Sequence, residues 1–303
     1  MVFMYTLLKK SSLIGLLCLV GWQSSAMAKP LNVVVTTGMI GDLVLNIGQK
    51  NVEMTALMGV GVDPHLYKAT HGDLRRLQKA DVIFYNGLHL EGKMQDVFEK
   101  LSHRKPVYAV TQDIDEQQLH RYGKAHDPHV WFDVALWHKA GQLVLKKLIQ
   151  HDPQNEKIYR KNAAQYLKQL SKLDHWVAQQ VSQIPKQQRV LITAHDAFGY
   201  FGTAYDMEVR GLQGISTATE FGLHDIKALK ELILARKIKA VFVESSVPKR
   251  FLESLVAGVN EVGRPLKIGG ELYSDAMGLS GTPAGTYIGM VKHNVNVIVQ
   301  ALR

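Results

Sequence analysis

From Pro153 to Ile184 the chain keeps an unbroken helical rhythm. Ile158, Tyr159, Ala163, Tyr166, Leu167, Leu170, Leu173, Val177 and Val181 recur at helical spacing, with no Gly and no internal Pro. This is the 3.6-residue period of one buried helix stripe. Pro153 suits a first helical turn and Pro185 ends the segment. At 1.5 Å per residue, about 30 residues make a helix of roughly 45 Å.

On either side the pattern changes to short β-branched runs that alternate with amphipathic stretches. Before the long segment, strands are predicted at LNVVVTTG (Leu31–Gly38), VEMTALMG, DVIFYNG (Asp81–Gly87) and PVYAVT. Between them helices are predicted from Met39 to Lys50, over HGDLRRLQKA and over EGKMQDVFEKLS, and another starts near Asp133, a natural N-cap. After the long segment, RVLITAH (Arg189–His195), EVRGLQG, IKAVFVESS and PLKIGG read as strands. HDIKALKELILARK, PKRFLESLVAGVNEVG and the closing GTYIGMVKHNVNVIVQALR read as helices. Such alternation predicts an α/β fold with mainly parallel sheets. The expected domains are an N-terminal α/β lobe over 29–152, a linking helix over 153–184 and a C-terminal α/β lobe over 185–303. One long rigid helix between the lobes limits the hinge motion that flexible linkers permit.

The first residues have another pattern. Lys9 and Lys10 precede the apolar run SLIGLLCLVGW, and SAMAKP offers a small-x-small cleavage site after Ala28. Residues 1–28 are expected to be a secretory signal peptide, too short for a membrane span, so that the mature chain is periplasmic and not inserted in a membrane. Cys18, the only cysteine, lies inside this segment, and Leu17 before it is not the small residue that lipidation requires. The mature chain therefore has no thiol, and any metal site must be built from His and carboxylates.

Composition narrows the function classes. At 46% hydrophobic and 21% charged residues the chain can bury proper cores. The formal charge of +9 falls by two when Lys9 and Lys10 are removed, and the remaining basic residues are spread along helices. That spread lacks the dense patch of a nucleic-acid binder. Gly87–Lys93 has the Gly-x-x-x-x-Gly-Lys spacing, but Met94 stands where an ATP loop needs Ser or Thr, and no His-Glu-x-x-His is present for a metalloprotease.

The candidate chemistry lies in two repeated motifs. GVDPHLYKAT (Gly61–Thr70) and AHDPHVWFDV (Ala125–Val134) share an Asp-Pro-His core followed by an apolar and an aromatic residue. Proline restricts the backbone just before His65 and His129 and so aims both rings. In α/β folds ligands bind at the carboxyl ends of strands. His65 lies just past one predicted strand, His195 ends another, and Asp275 in GGELYSDAMG follows a third. Imidazole and carboxylate are the usual ligands of first-row divalent metals. Asp63 and Asp127 suit turn or supporting roles, and Glu244 is either a support for the site or a structural residue. His126 and Asp133 read as turn and cap, Trp131 as packing, His151 as capping context, and Asp196 as pointing away from its neighbour His195.

DPHLY, DPHVWFD, AHDAFGYFGTAYDMEVRGLQGISTATE and LYSDAMG together resemble the zinc/manganese solute-binding proteins of ABC importers, the cluster A-I or TroA-like group. The resemblance spans about Leu31 to Arg303. It implies two α/β lobes with a metal between them on His65, His129, His195 and Asp275. It implies Zn²⁺ or Mn²⁺ as bound cargo, a monomer, and the membrane permease of an ABC importer as partner. Many zinc-specialised members carry a His- and acid-rich loop before the second motif, and DIDEQQLHRYGKAH is too sparse to be one. Two other readings use the same residues: an exported zinc-dependent hydrolase with Asp275 or Glu244 as base, and a surface adhesin on the same fold.

Overall fold

The computed structural model describes residues 29–219 and 221–303. The signal peptide expected over 1–28 lies outside them. The first part of the chain runs β1 (Leu31–Val35), α1 (Gly38–Gly48), β2 (Val52–Ala56), α2 (His71–Lys79), β3 (Val82–Tyr85), α3 (Gln95–Ser102) and β4 (Val107–Ala109). These strands form a parallel sheet in the order β2-β1-β3-β4. Two short strands, β5 (Arg121–Tyr122) and β6 (Ala125–His126), make an antiparallel hairpin that the hydrophobic pattern does not announce.

Two helices follow, α4 (Val134–His151) and α5 (Glu156–Val181). The second part runs β7 (Val190–His195), α6 (Gly199–Tyr205), β8 (Glu208–Gln213), α7 (Leu223–Arg236), β9 (Ala240–Glu244), α8 (Arg250–Asn260), β10 (Lys267–Leu272) and α9 (Tyr287–Leu302). Its sheet is also parallel, in the order β10-β9-β7-β8. In both sheets the first strand is flanked by the second on one side and the third on the other. The α/β class, the parallel sheets and the long helix are those expected from the sequence.

The inner strands β1, β3, β7 and β9 are largely buried on both faces, as strands covered by helices on both sides are. Val33 and Val35 point into the main core, while Val34 packs with Leu77 and Phe98 beneath α2 and α3. The pleat repeats in β7, where Leu191 faces the main core and Val190 and Ile192 face α7 and α8. Helix α5 buries Tyr159, Ala163, Tyr166, Leu167, Leu170, Leu173, Val177 and Val181, whereas Ile158 is exposed. It has 26 residues, about 39 Å at the helical rise, because Pro153–Asn155 form a 3₁₀ turn before it. Leu170 shares one continuous core with Val33 of the first sheet, Trp137 of α4, Phe242 of the second sheet and Ile298 of α9. The long helix is thus a shared wall.

Asp133 caps α4 by accepting from the Ala135 and Leu136 amides at 2.8 and 3.1 Å. Asp133→Ala is expected to cost about 1–2 kcal/mol of stability, read from urea denaturation. The capacity for metal should be unchanged, because this carboxylate faces the helix end and not the site described next.

Candidate metal centre

The repeated Asp-Pro-His motif works the same way twice. The Asp63 carboxylate folds back to accept the His65 backbone N–H at 2.9 Å, and Asp127 does the same for His129 at 3.0 Å. Each is a local Asx turn with proline at its centre. The turns sit beyond the carboxyl ends of strands, His65 after β2 and His129 after the β5–β6 hairpin. His195 closes β7 and Asp275 follows β10. All four residues are at most 4% exposed.

Their donor atoms converge. His129 Nε2 lies 3.3 Å from His65 Nε2 and 3.3 Å from His195 Nε2. Asp275 oxygens lie 3.6, 3.4 and 3.3 Å from the Nε2 atoms of His65, His129 and His195. A tetrahedron with zinc–nitrogen bonds of about 2.0–2.1 Å has edges of about 3.3–3.4 Å. The spacing therefore suits one small cation held by three nitrogens and one oxygen.

The surroundings fix which atoms face inward. His129 Nδ1 is 2.6 Å from Asp127, and His195 Nδ1 is 2.5 Å from Glu244, which also accepts the His195 backbone N–H at 2.8 Å. With Nδ1–H donated outward, each Nε2 presents a lone pair to the centre. Gly199 makes room for this support: a Cβ there would lie 2.8 Å from Asp127 Oδ2. Trp131 ties the two halves by donating Nε1–H to the Ser274 carbonyl at 3.0 Å. Thr217 donates to the free oxygen of Asp63 at 2.6 Å.

The charge balance is unfinished. Both Asp275 carboxylate oxygens are buried without a hydrogen-bond partner. Burial pushes the His65 pKa down to about 3, so this ring stays neutral. Burial disfavours charge on His195 as well, but Glu244 and Asp275 outweigh it and hold its pKa well above the ordinary value. Burial would also raise Asp275, yet the three facing imidazoles, His195 foremost, hold its carboxyl well below the usual range. A buried carboxylate facing three imidazoles stabilises positive charge at its centre. Proton and metal then compete for the same ring nitrogens.

The structure thus brings His65, His129, His195 and Asp275 into one cluster. His126 lies outside it in β6, with Nε2 3.9 Å from Glu116. His151 ends α4 just before its C-cap Asp152 and bonds to the Tyr108 hydroxyl at 2.9 Å, away from the cluster. Glu244, open between two roles in the sequence, is a direct partner of His195. The bonds of Trp131 and Thr217 to the opposite half were missed, since each depends on a loop far away in sequence.

The family model described as "Zinc-uptake complex component A periplasmic" matches residues 33–301. The chain belongs to this family. It is 49% identical over 281 residues to "Zinc-binding protein TroA" of Treponema pallidum, covering 92% of this chain and 91% of the relative. It is 48% identical over 275 residues to "Manganese-binding lipoprotein MntA" of Bacillus subtilis, covering 90% of each. The solved structure of the periplasmic zinc-binding protein TroA from Treponema pallidum superposes with a TM-score of 0.89 at 49% identity, covering 90% of this chain and 99% of that one. The fold class and the resemblance read from the Asp-Pro-His motifs are borne out by this membership.

Outer partners of metal-bound histidines typically cost 10–100-fold in affinity when lost. Glu244→Gln is therefore expected to weaken zinc binding by about 10–100-fold, in a competition titration against a chelator of known affinity. The amide keeps the volume and removes the charge that holds the His195 proton on Nδ1.

Proposed function

We propose that this protein captures one Zn²⁺ or Mn²⁺ ion as cargo on His65, His129, His195 and Asp275, and delivers it to the membrane permease of an ABC importer. The observation that carries the reading is the convergence of three Nε2 atoms on a buried carboxylate without other partners. Family membership supports the transport role, and the relatives include proteins named for zinc and for manganese. In the same reading, 29–152 and 185–303 are the lobes and 153–184 the link. The chain acts as a periplasmic monomer after cleavage following Ala28, with no nucleic-acid partner. Among the described residues no helix is long and apolar enough to cross a membrane.

A binding role fits the donor set better than catalysis. Catalytic zinc keeps an open position for water, whereas four protein donors pointing inward close the shell. The ligand set favours zinc, since manganese prefers oxygen and sits at the weak end of the affinity order. The site should accept both ions and hold zinc more tightly. The test is metal content by mass spectrometry after dialysis against each ion. About one ion per chain, with zinc displacing manganese, is the expected result for a four-ligand site. No ion retained from either solution would refute the reading.

A further inference from the structure

The four ligands are shielded, so an ion needs a path. His129 and His195 are fully buried, and His65 is nearly so. Asp275 differs in that it borders a cavity of about 210 Å³ on the seam between the halves, from which its carboxylate oxygens are shielded. The cavity extends to the exposed side chains of Leu45 and Val60.

Two methionines lie across this cavity on a glycine face of α1. The Met277 methyl packs on Gly38, where an added Cβ would be 3.1 Å away. The Met54 methyl packs on Gly41 in the same manner, at 3.0 Å. Met277 is two residues beyond Asp275, and both methionines are only half-buried. An unbranched side chain with three rotatable bonds swings aside more easily than a lobe does. Wide lobe opening would instead break the core that both sheets share with α5.

We infer that the metal exchanges through this cavity at Asp275, and that Met277 resting on Gly38 is the gate that sets its rate. The inference rests on Asp275 being a ligand, as proposed above. Because the gate supplies none of the four donor atoms, it changes the height of the barrier and leaves the bound state alone. Association and dissociation must then shift by the same factor.

The experiment uses the mature protein and Zn²⁺. Association is followed by stopped-flow tryptophan fluorescence, with Trp131 the reporter whose ring lies edge-on to His129 at 5.1 Å, beside a constant background from Trp137 and Trp176. Dissociation is followed by trapping released zinc with excess chelator. Met277→Ala should speed both rates by about 3–10-fold, the factor that one off-rotamer displacement represents. Gly38→Ala, whose Cβ presses on the Met277 methyl and destabilises its closed seat, should also speed both, whereas Met277→Leu, branched and stiffer, should be slower than wild type. The dissociation constant should stay constant in all three. Unchanged rates in the variants, with normal zinc binding, would overturn the gate and leave the capture function standing. A change in dissociation rate alone would overturn it too, since Met277 would then stabilise the bound ion. A wild-type protein that takes up no zinc would overturn both.

Discussion

Replacing His129 with alanine is expected to lower zinc affinity by more than about 100-fold, beyond the range seen when only an outer partner is lost. His129 Nε2 has the other three donors within 3.3 to 3.4 Å, so it is the hub of the cluster. Its loss leaves two imidazoles and one carboxylate. The helical frame does not depend on it, because the turn is closed by the His129 backbone amide, which alanine retains. His65→Ala and His195→Ala should behave likewise. The check is a competition titration, with circular dichroism as the control for folding. Wild-type affinity in all three variants would mean that the ligands are elsewhere.

Zinc is expected to stabilise the protein strongly against heat. A ligand that binds only the folded state adds about 4.1 kcal/mol when it is 1,000-fold above its dissociation constant. For a chain of this size the melting temperature should rise by on the order of 10 °C. The cause lies at Asp275, whose two oxygens are buried and unpartnered until a cation meets them. Asp275→Asn removes that charge, which the facing imidazoles favour in the folded zinc-free state, so the zinc-free variant should melt lower than the zinc-free wild type. Most of its zinc-dependent rise should be gone. Calorimetry with zinc, and again after excess chelator, reads both. An equal rise in the variant would show that the stabilising site lies away from Asp275.

Much of this site is legible in the sequence because its signals are local. An Asp-Pro-His turn closes within three residues, so two copies declare two aimed rings. His195 and Asp275 are found by their places after strand-like runs, since parallel sheets put ligands there. The long helix is equally plain, yet its end is not. Ile184 continues the apolar pattern and is fully buried, although the helix stops at Val181. Burial sets the hydrophobic pattern, and the hydrogen bonds that end a helix leave a weaker mark. Helix α6 was not anticipated, being seven residues with two glycines.

What stays hidden is pairing across distance. Glu244 meets His195 only because β9 lies beside β7. Trp131 finds Ser274 only when the two halves close on each other. No local spacing encodes either contact. They nevertheless decide the chemistry, because they choose the nitrogen that each ring presents.

X-ray absorption at the zinc edge of the loaded, mature protein tests the central claim most directly. It should give three imidazole nitrogens at about 2.0–2.1 Å and one carboxylate oxygen at about 2.0–2.2 Å, with one imidazole fewer in His129→Ala. A shell made mainly of water oxygens, or the same spectrum from both proteins, would contradict it.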